Sequence, residues 1–193
     1  MAMSRERAEA ALAPLVATVG RLCYDDGSMI VNDEFTVVPA IRVEPGHEPN
    51  ANFTPIDEHS MGLAVSEGLL AVPDDTAIKF AFAHELGNGF NGPLLESLAL
   101  DPDELPSSAP EVIADLGAAN VLLQTGNSWD DVLVTVDNWS KSRIFDEFWA
   151  GQHPPGTERA ALVHSLRDLM TAEMSFDDAA KTLCAEAPES PWN

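Results

Sequence analysis

The chain has 193 residues, 45% of them apolar, and its 32 acidic against 10 basic side chains give a net charge of −22. That length holds one domain with a true core and little more, and a surface of that sign repels nucleic acid and anionic lipid; its acids, scattered along the whole chain, serve solubility or else steer a basic peptide. No run of about 18 apolar residues is present, so no membrane span is expected.

The opening MAMSRERAEAALAPLVATVG is too charged and too alternating for a signal peptide. Its apolar spacing predicts an amphipathic helix over residues 5–23, kinked or broken at Pro14. A soluble protein is expected, cytoplasmic, or periplasmic if a leader has been removed. SMIVNDEFTVVPAIRVEP carries β-branched runs separated by turn residues and predicts short strands. Pro45 to Pro55, rich in Pro, Asn and Gly, predicts a loop. An apolar strand follows over Met61 to Ser66, then a turn.

PDDTAIKFAFAHELGNGF predicts a helix that Asp74 or Asp75 caps. Ala77, Phe80, Ala81, His84 and Asn88 recur at three- and four-residue steps and so share one face. After a proline-rich connection, PEVIADLGAANVLLQTG predicts a helix with Pro110 near its first position and Gly126 as its stop. Residues 128–149 predict another helix, capped by Ser128. HPPGTERAALVHSLRDLM predicts a stiff turn and a helix, and SFDDAAKTLC a last short helix before a flexible tail, APESPWN. Cys23 and Cys184 are too few for a closed thiolate site. They form a disulfide between the ends of the chain in an oxidising compartment, or stay as two buried thiols.

The segment FAHELGNGF differs by one residue from a zinc-hydrolase helix. In the His-Glu-x-x-His pattern, two imidazoles one turn apart share an ion and the glutamate takes a proton from its water. Here His84 and Glu85 stand in the first-ligand and general-base positions. Asn88 stands in the second-ligand position, with a neutral amide that zinc binds poorly.

The text around this segment is similar to the gluzincin metallopeptidases of the HtpX, Oma and CAAX-prenyl-protease kind (peptidase family M-48). The matching pieces are Asn50 to Asn52, Met61 to Ser66, Gly68-Leu69-Leu70, Asp74-Asp75 and Ala83 to Gly87. Two more lie downstream: EVIAD, residues 111–115, and HPPGTER, in which His153, Pro154, Pro155, Glu158 and Arg159 correspond. Together they span residues 50–168 in the family's order. The resemblance implies an α+β, zincin-like domain, with a small mixed sheet packed on an active-site helix and further helices. Residues 50–170 form that core, residues 1–49 pack on it, and residues 171–193 add a short helix and tail. It implies Glu111 as the third zinc ligand and Asp115 as the carboxylate that orients a ligating histidine. It also implies Gly62, Leu63, Ala64 and Val65 as the cleft-edge strand that pairs with an extended peptide.

Two functions follow. One is a metallopeptidase-like protein whose metal set is incomplete, inactive or very weak, which acts by binding a peptide or protein in its cleft. The other is an active zinc endopeptidase in which His153 replaces the missing ligand beside His84 and Glu111. His47, His59 and His164 are weaker substitutes, His164 as a surface or boundary residue of an amphipathic helix.

Overall fold

The computed structural model describes residues 2–23, 30–31, 35–89, 94–96, 98–141 and 156–187. Helix α1 (Arg5–Cys23) runs through Pro14 unbroken. Ala8, Leu12, Leu15 and Val19 recur along one of its faces and are all buried. That face covers the sheet at β2 (Phe35–Glu44), where the Glu9 carboxylate also accepts from the Ile41 amide at 3.2 Å.

The sheet is mixed, as expected. A two-residue β1 (Ile30–Val31) lies antiparallel to β2, β2 parallel to β4 (Ser60–Ser66), and β3 (Ala51–Asp57) antiparallel to β4. The spatial order is β1-β2-β4-β3. Two expectations are corrected by this order. The segment from Pro45 to Pro55 is not loop throughout, because Ala51 onward is strand β3. Pro55 is accommodated because, among the described residues, β3 is an outer strand, one side of which needs no amide donors.

The second correction concerns Gly62, Leu63, Ala64 and Val65. They do not form an edge: β4 is hydrogen-bonded to β2 on one side and β3 on the other, and all four are buried. A continuous apolar run is the mark of a strand enclosed on both faces, and β4 has no free backbone for a peptide. Gly62 serves packing instead. A Cβ there would stand 2.5 Å from the Ala40 carbonyl oxygen, where β2 bulges between Val37 and Ile41.

Ser66 ends β4 and begins the single-turn helix α2 (Glu67–Leu70). Its hydroxyl accepts from the Leu69 amide at 3.1 Å and donates to the Glu48 carbonyl at 2.6 Å. Helix α3 (Asp75–Gly89) follows, and Asp74 is its cap, accepting from Thr76 and Ala77. A 3₁₀ turn at Pro102–Glu104 leads into α4 (Ala109–Gln124). Pro110 lies in its first turn and Gly126, at φ 95°, takes the left-handed position just past its end.

Ser128 caps α5 (Trp129–Lys141), its hydroxyl accepting from the Asp131 amide. The expected continuation of that helix through 142–149, and the His-Pro-Pro turn at 153–155, lie outside the described residues. Helices α6 (Gly156–Thr171) and α7 (Phe176–Ala185) complete the chain. Of the expected flexible tail, Ala187 is buried and the rest lies outside the described residues. One apolar core runs from Met3 to Ala187 and draws on both the helices and the sheet. Among the described residues, no helix is long and apolar enough to cross a membrane.

Candidate functional site

Helices α3 and α4 pack side by side at a glycine. A Cβ on Gly87 would stand 3.0 Å from the Ala114 Cα, so the two backbones touch there. This contact brings the polar face of α3, with His84, Glu85 and Asn88, against Glu111 and Asp115 on α4. Helix α6 closes the cluster with Arg159.

The cluster is tightly bonded. His84 is 2% exposed, and its Nδ1 donates to Asp115 Oδ1 at 2.8 Å. Arg159 donates to both oxygens of the same carboxylate, Nε to Oδ2 at 2.7 Å and Nη2 to Oδ1 at 2.6 Å. Arg159 Nη2 also lies 3.2 Å from His84 Nδ1. Both nitrogens are donors here, held together by the oxygen they share. Glu85 is buried next to His84, and its charge reaches Arg159.

The other ring nitrogen faces the open side. His84 Nε2 lies 2.9 Å from Asn88 Nδ2 and 3.4 Å from Glu111 Oε2. Asn88 Oδ1 is buried and has no hydrogen-bond partner among the described residues. His84, Glu85, Asn88, Glu111 and Asp115 are therefore brought together. His153 lies outside the described residues. His47 and His59 are exposed, and His164 is half-buried and bonded to Asp137 at 2.9 Å. Cys184 is a free, buried thiol, whose pKa burial pushes up to about 11.

Electrostatics favour a charged ring. Burial and the Arg159 guanidinium push the His84 pKa down, but the hydrogen bond and charge of Asp115, with Glu111, outweigh them and raise it from the usual 6.5 to about 9. Burial alone pushes Asp115 up, yet Arg159 and His84 hold it well below the usual carboxylate range. Burial likewise opposes the Arg159 charge, and Asp115 more than restores it. At neutral pH the centre is thus an imidazolium and a guanidinium sharing Asp115, with Glu111 alongside. The charged ring has a proton at Nε2 to give. Glu111, or the Asn88 oxygen after the amide turns over, is placed to receive it.

This geometry predicts a pH dependence of stability. A histidine with a raised folded pKa contributes fully below its unfolded value and loses that contribution as pH rises through the folded one. Stability should therefore fall between pH 6.5 and 9, by about 3 kcal/mol at ~1.36 kcal/mol per unit. Urea midpoints across that range test it, with His84→Gln expected to flatten the profile. An equal slope in the variant would assign the loss elsewhere.

The zinc test rests on the donor set. Two ligands at ~2.0–2.2 Å from one tetrahedral ion stand about 3.3–3.6 Å apart, and His84 Nε2 and Glu111 Oε2 stand 3.4 Å apart. An open zinc site requires three protein donors. The third position here presents a neutral amide, 2.9 Å from the ring, which zinc binds poorly through either of its atoms. No group of three or more His, Cys, Asp or Glu placed to hold a metal occurs among the described residues. Among the described residues, His84 Nε2 and Glu111 Oε2 meet the ligand spacing, with a neutral amide beside them.

Arg159 is the site residue whose role sequence reasoning missed. The signal was present: it falls on one helical stripe with Val163 and Leu166, both fully buried. An arginine in an apolar stripe needs a buried acid. No family model matches the chain, and neither the curated proteins nor the solved structures give a match.

Proposed function

We propose that this chain is a zincin-like, metallopeptidase-like protein whose metal centre is switched off and which acts by binding a peptide or protein. Asn88 carries the reading: its amide nitrogen sits 2.9 Å from His84 Nε2, the atom through which zinc would be held. Among the described residues two strong donors are left, one of them protonated at neutral pH, so an incoming ion must first displace a proton held at about 9. Glu85 then has no metal-bound water to deprotonate.

Binding has a place to occur. Among the described residues β3 is an outer strand of the sheet, and its Phe53 packs against Gly89 at the end of α3, one residue from Asn88. An extended segment pairing with the outer side of β3 would lie beside the polar centre, its specificity set by alternate side chains. The net charge of −22 favours a basic one.

Zinc content tests the proposal. Protein purified without chelators and then dialysed should retain less than roughly a tenth of an equivalent of zinc and leave unfolded casein uncut. One retained zinc per chain would overturn the reading. His153→Ala would then show whether that residue is the replacement ligand.

A further inference from the structure

On the far side of the α3–α4 contact lies a second feature, unrelated to the metal question. A cavity of about 350 Å3 opens between the end of α1, helices α3 and α4, and the α6–α7 corner. Its lining is mostly apolar, with Ala83 and Gly87 on α3, Ile113 and Gly117 on α4, and Leu94 and Leu98. Gly117 creates the space. A Cβ on Gly117 would meet only Leu94 Cδ1, at 3.8 Å, so the chain leaves room there that a larger side chain could occupy.

One polar group breaks this lining. Asn120 is 5% exposed and faces the cavity, and its amide has no hydrogen-bond partner among the described residues. The amide is not sealed from solvent, so a ligand filling the cavity would have to replace water as its partner. At the rim, exposed Gln124 and Asp177 flank the entrance. The volume falls at the small end of the ~300–1,000 Å3 range of small-molecule sites and suits on the order of ten non-hydrogen atoms.

We propose that this cavity is a binding site for an uncharged, mostly apolar small molecule bearing one hydrogen-bonding oxygen, which Asn120 receives. The amide pairs with a hydroxyl or carbonyl as donor or acceptor. A carboxylate is disfavoured, because no cation among the described residues lines the site and Asp177 stands at its mouth. The site does not depend on the metal-centre reading, since Ala83 and Gly87 turn away from the face that carries His84 and Asn88.

Calorimetric titration with 1-octanol, octanoate and ethylbenzene tests the site on the full chain. Octanol should bind with a Kd on the order of 100 µM, and octanoate at least tenfold more weakly. Asn120→Leu removes the amide at similar volume. It should weaken octanol roughly five- to tenfold, the worth of one hydrogen bond, and leave ethylbenzene unchanged. Gly117→Leu fills the space and should abolish both while circular dichroism stays native. If that variant fails to fold, Asn120→Leu decides alone. Absent octanol binding, octanoate binding as tight as octanol, or octanol binding indifferent to Asn120→Leu would each overturn the proposal.

Discussion

Asn88→His should convert a chain that loses zinc on dialysis into one that keeps about one equivalent. Position 88 already lies one turn from His84 on the same face, and its side-chain nitrogen already touches His84 Nε2 at 2.9 Å. Glu111 Oε2 stands 3.4 Å from that nitrogen, within the spacing of two ligands on one ion. Tight zinc sites with four ligands are worth ~10–16 kcal/mol, so one further imidazole should add about 3–4 kcal/mol, two to three orders of magnitude in affinity. Asp115 holds His84 with Nε2 outward, the orientation a ligand needs. The gain should grow with pH, because zinc competes with the His84 proton held at about 9. If slow cleavage of unfolded polypeptide accompanies the metal, Glu85→Gln should remove the cleavage and keep the zinc. A folded Asn88→His protein that binds no more zinc than its parent would show that the cleft has changed by more than one ligand.

Arg159→Met should be the most damaging single change to stability. The guanidinium is 7% exposed and donates to both oxygens of Asp115, which is 1% exposed. Removing one partner of a buried pair leaves the other charge uncompensated, at a cost of about 3–5 kcal/mol. For a chain of this size each kcal/mol moves Tm by ~2–4 °C, so a fall of roughly 6–20 °C is expected. Arg159→Lys should recover only part of it, since an ammonium cannot donate to both oxygens in the same plane. Combining Asp115→Leu with Arg159→Met should cost less than the two separate losses added together, because neither charge is then stranded. Additive losses in that cycle would mean that the pair is not coupled.

The helices were legible because their signals are local. Asp74, Ser128 and Ser175 cap where the sequence begins each helix, and Gly126 stops one with a positive φ. The cluster of His84, Asn88, Glu111 and Asp115 was legible because each pair sits one turn apart on its own helix and the two short motifs name both helices. Pairing order was not legible. Met61 to Ser66 reads as a strand by composition, but whether its backbone is free depends on Phe35–Glu44 and Ala51–Asp57 lying on either side, and no local pattern encodes that. Asn50, Asn52 and Pro55 made β3 resemble a loop, since an outer strand tolerates what an inner one rejects. The pairing of Arg159 with Asp115 joins residues 44 positions apart, and only packing reveals it.

The glycine at position 87 has a consequence for how such a chain can change. Because Gly87 lets α3 rest directly on the Ala114 backbone, main chain rather than side chains sets the spacing of the donors. Position 88, half-buried beside that contact, therefore alters what the centre can hold without altering how the helices meet. The donor at position 88 can therefore be exchanged while the helix contact that positions its neighbours stays as it is.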